Sequence, residues 1–383
     1  DEVVEVHPPG CEHCGIALEG LAQEDREWAH QVVELPDVKP HVTEYRVHSR
    51  KCPGCGKRTQ APLPEGVPTR PYGPRLQAIG AVLTGRYRLS RREAKDLLCD
   101  LFQVDISLGS LSGLEKATSD ALGDVVEGAQ EAVRDADVVN MDETSWKEAD
   151  GRAWLWTAVT EFVSLFKIAS TRSGKVVDEL LGAGFGGVVG SDRYSAYKRI
   201  PLEQRSVCLA HLKRNFKSLA DRGGQAQFVG VWGLVELERV FRLWHRYKAG
   251  DIDRKTLKRR LRPIKRSFGE LLEYGKVCGD RKAEGMCWEV SAVWEALWRF
   301  SEAEGVDPTN NAAERALRPA VLWRKGSFGS QSNRGSRFVE RMLTVAASCR
   351  QQNRHLLTFL EQACRAAISE TSPPSLVPSY TPG

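Results

Sequence analysis

The stretch Val138-Val139-Asn140-Met141-Asp142-Glu143-Thr144 is a short run of strand formers that ends in two acids and a hydroxyl. Val188-Val189-Gly190-Ser191-Asp192 repeats the pattern, with its aspartate 50 residues after Asp142. A third acid, Glu314, lies 122 residues after Asp192 in the helix-forming phrase Asn310-Asn311-Ala312-Ala313-Glu314-Arg315. Two strand-borne aspartates and one helix-borne glutamate can converge on a pair of divalent cations. Such a pair, about 4 Å apart, suits in-line attack on a phosphodiester. Carboxylate oxygens select hard Mg²⁺ or Mn²⁺ over zinc. Glu143 is expected to face the other side of the sheet, because successive strand side chains alternate. The pattern points to nuclease or transposase chemistry.

Working outward, Ala153–Val159 and Val163–Ile168 read as two further strands in an antiparallel meander with the first. A helix is expected over 174–182, then the strand entering Asp192, then a fifth strand at Ser206–Leu209. Three strands, helix, strand, helix is the order of an RNase H-like α/β core, with the acids at the ends of strands one and four. Asp307 is expected to cap the Glu314 helix, with Pro308 in its first position. Pro319 is expected to kink or end that helix. Gly326–Gly335 reads as a polar, glycine-rich loop carrying Arg334, either close to a phosphate backbone or simply exposed.

Residues 218–305 interrupt this core. Net charge over the 383 residues is +5, yet residues 239–282 hold 15 Lys/Arg against 5 Asp/Glu. One basic segment in an otherwise acidic chain suggests a polyanion partner. Arg254, Lys255, Lys258, Arg259 and Arg260 share a helix whose Leu257, Leu261 and Ile264 form an apolar face. Too few acids lie in that helix to neutralise them, so they are candidate DNA contacts, with Arg315, Arg318 and Arg334. Trp294 and Trp298 share a helix face at i, i+4 and read as core, the alternative being stacking on an unpaired base.

Ten cysteines divide into two C-x2-C knuckles, Cys11-Glu12-His13-Cys14 and Cys52-Pro53-Gly54-Cys55, and six scattered ones. Each knuckle is followed by a glycine, Gly15 or Gly56, which permits the tight turn that aims amides at sulfur. Paired knuckles are the usual way to close a tetrahedral zinc site, so one structural Zn²⁺ on Cys11, Cys14, Cys52 and Cys55 is expected. The segment holds 11 acids against 7 bases, which suits a structural or protein-docking element better than a phosphate binder. Val42, Tyr45 and Val47 suggest a strand leading into the second knuckle. A Pro-rich linker follows over 59–75. Residues 76–134 read as helical, with a Ser90/Glu93 capping box and Ser107 or Ser110 capping the next helix. These helices are a candidate helix-turn-helix or a helical spacer.

Composition is that of a globular protein, 27% charged and 41% hydrophobic. No apolar run approaches the roughly 20 residues of a membrane-spanning helix. The first residues do not form a secretory signal. A cytoplasmic chain is expected, and the start at Asp1 without Met reads as a fragment or a processed protein. The whole is read as an α+β multi-domain chain. It comprises a zinc-binding module (1–58), a linker (59–75), a helical segment (76–134), the first segment of the core (135–217), a basic helical insertion (218–305), the second segment of the core with C-terminal helices (306–372) and a disordered tail (373–383).

Taken together, these motifs resemble the transposases of the bacterial insertion sequence 66 family over nearly the whole chain. The knuckles resemble that family's zinc-binding segment. Met141-Asp142-Glu143-Thr144 before a tryptophan-rich strand resembles its first catalytic acid, and Gly190-Ser191-Asp192-Arg193-Tyr194-Ser195-Ala196-Tyr197 its second. Asn310-Asn311-Ala312-Ala313-Glu314-Arg315 followed by Arg318 resembles the third. The resemblance implies a DDE transposase with two catalytic Mg²⁺ or Mn²⁺ ions, acting on transposon terminal repeats and target DNA. It implies a homo-oligomer on paired ends, accessory transposition proteins, and a nucleoid-associated location in a bacterium. Cys208-Leu209-Ala210-His211 is similar to a C-x2-H motif of several transposase families with an insertion, which implies a place for His211 beside the site. Family members usually carry a helical region before the zinc segment, whereas this chain starts almost at the first knuckle. A nuclease or resolvase without strand transfer, or a zinc-containing DNA-binding protein, would use the same residues.

Overall fold

A computed structural model describes residues 2–20 and 28–378, which divide into two compact units between His41 and Val42. In the first unit the chain turns at the Cys11 knuckle. The Gly15 amide donates to the Cys11 carbonyl at 2.9 Å and the Cys11 amide to the Ile16 carbonyl at 2.8 Å. In the second unit β1 (Ser49–Lys51) and β2 (Arg58–Gln60) pair around the other knuckle, where the Gly56 amide donates to the Cys52 carbonyl at 2.9 Å. Both glycines have φ above 70°. The strand expected from Val42 to Val47 is not formed; only Ser49–Lys51 pairs, and Val42 is 83% exposed with nothing to pack on.

The spine of the second unit is a long strand. Four helices precede it: α1 (Pro74–Ala81), which runs on into a π-helical turn over 82–86, α2 (Arg91–Phe102), α3 (Leu108–Ala121) and α4 (Gly123–Arg134). The capping box at Ser90 and Glu93 is present, and Ser107 caps α3. Strand β3 then spans Val138–Glu148, followed by β4 (Gly151–Val159), β5 (Ser164–Ala169), helix α5 (Gly174–Leu181), β6 (Val188–Ser191) and β7 (Arg205–Val207). Their order in the sheet is β5-β4-β3-β6-β7. β3, β4 and β5 form the antiparallel meander, while β6 pairs parallel to β3 and β7 parallel to β6. The fold is therefore α+β with a five-stranded mixed sheet.

Beyond the sheet come α6 (Leu209–Ala220), α7 (Gly224–Lys248), α8 (Arg254–Gly275), α9 (Arg281–Ser291), the single turns α10 (Trp294–Leu297) and α11 (Arg299–Glu302), then α12 (Asn311–Ser327), α13 (Asn333–Gln351) and α14 (Leu356–Ile368). One hydrophobic core joins the sheet to α1, α4, α5, α12, α13 and α14. A second joins β7, α6, α7, α8 and α9 through residues such as Phe216, Val240, Leu261 and Phe268. Helices α6 and α7 cross closely because α7 places Gly230 and Gly233 at the contact. A Cβ on Gly230 would lie 2.2 Å from the Ala220 amide nitrogen, and one on Gly233 2.3 Å from the Phe216 ring. Helix α3 is packed against α1, α13 and α14 with Leu111, Leu114 and Thr118 buried, so the second helix of the candidate helix-turn-helix gives much of its surface to the fold.

The edge strand β5 shows how polar groups are satisfied inside this core. Its outward amides at Ser164, Phe166 and Ile168 donate to Ser348, Thr344 and Glu340 of α13. Four helical residues rise about 6 Å and two strand residues about 6.6 Å. A row of side chains at i, i+4, i+8 can thus cap alternate strand amides, which closes an edge that would otherwise recruit another strand.

Other expectations need correction. Helix α12 starts at Asn311, not at Pro308, because Asn310 is held by tertiary contacts described below. Pro319 does not end it: the helix runs to Ser327, and the carbonyl that Pro319 cannot serve belongs to exposed Arg315. The glycine-rich stretch is a short connection whose Ser330 amide donates to the Lys147 carbonyl and whose Ser330 carbonyl accepts from the Ala149 amide. Arg334 lies on α13, with its guanidinium 3.4 Å from the Ser112 hydroxyl. The described tail from Pro373 is anchored at Leu376, with Ser375, Val377 and Pro378 exposed. Leu376 is 1% exposed and its carbonyl accepts from Gln352 at 2.6 Å; residues 379–383 lie outside the described range. No described helix is long and apolar enough to cross a membrane.

Candidate active site

Asp142 and Asp192 meet through strand register. β3 pairs with β6 as Val138↔Val188, Val139↔Val189 and Asn140↔Gly190, an offset of 50. The two aspartates therefore occupy equivalent positions, two residues past the last parallel pair. Asp192 follows the end of β6, as expected. Asp142 sits mid-strand, because β3 continues to Glu148 as an arm paired only with β4. Asp142 Oδ1 accepts the Glu143 amide at 2.9 Å, and Asp192 Oδ1 accepts the Tyr194 amide at 2.8 Å.

Glu314 is in the first turn of α12. Asn310, the residue before that helix, ties three elements together. Its amide donates to the Cys208 sulfur at 3.1 Å and its side-chain nitrogen to the Met141 carbonyl at 2.6 Å. The Leu209 amide donates to the Pro308 carbonyl at 2.8 Å. The start of α12 is thus fixed beside β3 and the start of α6. Glu314 Oε1 lies 3.1 Å from Arg214 Nη2 and 3.3 Å from His211 Nδ1, both on α6.

Asp142 feels the charge of the other two acids, although among the described residues the three carboxylates do not gather within 4.8 Å of one another. Burial first, then the neighbouring Glu143, with Asp192 and Glu314 adding like charge, push Asp142 up to about 7 against its own amide bond. An acid held this high among other acids marks unneutralised negative charge, which a divalent cation would relieve. His211 is pushed below its usual value by burial and by Arg214, with Glu314 opposing.

Glu143 faces away, as alternation requires. Its side chain is 1% exposed; Oε1 accepts from Arg172 Nε at 2.9 Å and Nη2 at 2.6 Å, and Oε2 from the Tyr197 hydroxyl. The Arg172 guanidinium lies 3.6 Å from the Tyr194 ring centroid and 4.8 Å from that of Trp154. Burial raises the Glu143 carboxyl, while the Tyr197 and Arg172 contacts lower it. Neither Arg172 nor Arg214 nor the stitching role of Asn310 was readable in sequence. Asn310 alone carried a signal, standing in the phrase that ends in Glu314.

Among the described residues, the group of three metal-ligand atoms gathered within 4.8 Å of one another is Cys208, His211 and Glu314. At the knuckles, the amides of His13 and Cys14 pull the Cys11 thiol below its usual range, and those of Cys55 and Gly54 do the same for Cys52. Cys11 and Cys14 belong to the first unit, Cys52 and Cys55 to the second.

The candidate DNA contacts divide. Lys255, Arg259, Arg260, Arg315 and Arg318 are exposed and form no ion pair among the described residues. Arg254 is committed inward: it donates to the carbonyls of Phe300, Ser301 and Ala303 and to the Tyr247 hydroxyl. Lys258 pairs with Glu302 at 2.7 Å. Neutralisation comes from another helix, which helix-by-helix counting could not detect. Trp298 is buried and meets Trp294 edge-on at 5.5 Å, although a break at Trp298 separates them into different turns. A cavity of about 920 Å³ opens beside Arg214, lined by Lys213, Lys217, Lys248, Phe241 and Trp244.

The family profile described as "Transposase IS66 family" matches residues 72–338. The chain is also similar to two proteins of Sinorhizobium fredii. The one called Uncharacterized protein y4hP is 24% identical over 389 residues, covering 91% of this chain and 69% of that protein. The one called Uncharacterized protein y4qI is 28% identical over 283 residues, covering 66% of this chain and 51% of that protein.

Proposed function

The chain belongs to the IS66 transposase family, the match taking in both aspartates and Glu314, and from this premise we propose that it is a DDE transposase. Its reading is metal-dependent cleavage at transposon ends followed by transfer of a 3′-hydroxyl into target DNA. The observation that carries the proposal is the register of β3 against β6, which sets Asp142 and Asp192 at equivalent positions just past the last parallel pair, with the Glu314 helix tied to Met141 by Asn310. The sheet order β5-β4-β3-β6-β7, meander then parallel pair, supports an RNase H-like core.

The three carboxylates fit Mg²⁺ or Mn²⁺ by donor chemistry, and a cation would offset the burial and the like charge that together lift Asp142. Two bound ions would activate the attacking oxygen and stabilise the leaving one. Asp142 would hold both, with Asp192 and Glu314 completing one each. Asp142 must lose a proton to do so, and Glu314 must leave its contacts with Arg214 and His211. Glu143, paired with Arg172, stays out of the ligand set and fixes the back of β3. Exposed Lys255, Arg259, Arg260, Arg315 and Arg318 would meet phosphates, with Arg334 at the α13 start.

For the cysteine knuckles we propose a single structural zinc held by Cys11, Cys14, Cys52 and Cys55. Support comes from the soft thiolate donors and the amides directed at Cys11 and Cys52. Metal analysis should return one zinc per chain, lost on substitution of either knuckle. Strand transfer at paired ends also implies a DNA-bound multimer, measurable by sizing the complex.

The decisive experiment joins a pre-cleaved terminal-repeat duplex to a target plasmid in Mg²⁺ or Mn²⁺, with Asp192→Asn as control. Joined product that vanishes in the variant is expected. Metal-dependent nicking without joining would replace the proposal with a nuclease, and DNA binding alone with a zinc-containing DNA-binding protein.

A further inference from the structure

Two neighbours of Glu314 have no task in the proposed reaction. Cys208 stands at the start of α6, and its sulfur receives the Asn310 amide at 3.1 Å. The amides of His211 and Ala210 also point at that sulfur. Amide donors also converge on Cys11 and Cys52, where they lower the thiol; at Cys208 burial outweighs them and raises it, so the amides there only moderate the cost of ionising a buried thiol. Such donors favour a metal-bound thiolate. His211, three residues further along α6, presents a buried Nδ1 that makes no well-directed hydrogen bond. It lies 3.3 Å from Glu314 Oε1, and the ligand atoms of Cys208, His211 and Glu314 all lie within 4.8 Å of one another.

One thiolate, one imidazole and one carboxylate, with a fourth position left for water, is a donor set for zinc. It is a poor one for Mg²⁺, which takes oxygen ligands. We propose that Cys208, His211 and Glu314 form a second kind of metal site, for a thiophilic divalent cation such as zinc. Filling it takes Glu314 from Asp142 and Asp192 and so switches the catalytic site off. Binding displaces Arg214 from Glu314 and releases the Cys208 thiol proton to solvent. The inhibitory half rests on the role proposed for Glu314; the metal site itself does not.

Co²⁺ is a suitable probe, because thiolate ligation gives it a charge-transfer band. The full chain, with its knuckles already loaded with zinc, is titrated with Co²⁺ beside Cys208→Ser and His211→Ala. Cys208→Ser keeps an acceptor for the Asn310 amide, so it guards against misfolding. The expected result is a further equivalent of Co²⁺ with a thiolate band in the wild type. The band should be absent from Cys208→Ser, and affinity at least about tenfold weaker in both variants, the scale of losing even an outer-shell partner. Identical spectra and affinities in all three proteins would overturn the site. In a nicking assay with saturating Mg²⁺, half-inhibition of Cys208→Ser should need at least about tenfold more zinc than the wild type. Equal sensitivity would overturn the switch. The cobalt spectrum needs no turnover, so it decides the site even if the catalytic reading fails.

Discussion

Neutralising Asp142 should stabilise the metal-free protein while removing its response to Mg²⁺. Asp142→Asn keeps an oxygen that can accept the Glu143 amide, so the change is one of charge. Burial, Glu143, Asp192 and Glu314 lift the carboxyl from 3.8 to about 7. The folded value lies above the unfolded one. The carboxyl's contribution to stability is therefore complete below about pH 4 and is lost as pH rises through 7. Three units at about 1.4 kcal/mol each put the loss above pH 8 at about 4 kcal/mol. For a chain of this length each kcal/mol moves Tm by about 1.2 °C. Without divalent ions at pH 8.5, Asp142→Asn should therefore melt about 5 °C above the wild type, and at pH 5 the gap should fall to less than half. Added Mg²⁺ should raise the wild-type Tm and leave the variant unmoved, because only the wild type gains a ligand on folding. Differential scanning fluorimetry across pH 5 to 8.5 measures all of this. A variant that melts at or below the wild type at pH 8.5, or a gap that ignores pH, would refute the picture of converging acids.

Arg172→Met leaves Glu143 buried without its cation, and breaking such a pair costs about 3–5 kcal/mol; urea unfolding should show this, with much of it recovered by adding Glu143→Gln. Equal stability of wild type and single variant would discount the pair. Thr344→Val strands the Phe166 amide at the edge of the sheet, for a loss of about 1–3 kcal/mol in the same assay; a neutral result would mean that α13 does not cap that edge. Reversing Arg259 and Arg260 to Glu should lower the salt slope of DNA binding by about 2, read by fluorescence anisotropy. Arg254→Glu should instead lower the melting temperature, because Arg254 serves carbonyls within the fold. The opposite pattern would reassign the basic helix.

The features of the site set by short-range rules were legible. The two valine runs ending in an acid read as strands, and period-two alternation sends Glu143 away from Asp142, while the parallel pairing at an offset of 50 is seen only in the fold. The features that sequence concealed depend on distant residues. Helix α12 begins where Asn310 is caught by Met141, 169 positions away, and not where Asp307 and Pro308 offer a local start. Lys258 and Arg254 look free within their own helix and are engaged by Glu302 and by the carbonyls of 300–303. Val42–Val47 alternates like a strand, yet a strand needs a partner and that stretch has none; only Ser49–Lys51 pairs.

The bond between the Leu209 amide and the Pro308 carbonyl closes a loop of nearly a hundred residues at its neck. The ends of the insertion are thus held to each other, next to Glu314, whatever lies between them. For a loop already this long, doubling its length costs only about 0.6 kcal/mol. Length can thus be added beyond α6 at little cost, whereas α6 itself carries the His211 and Arg214 contacts to Glu314. The neck therefore does not set the interval from Asp192 to Glu314, whereas any change between Asp142 and Asp192 has to leave the pairing of β3 with β6 intact.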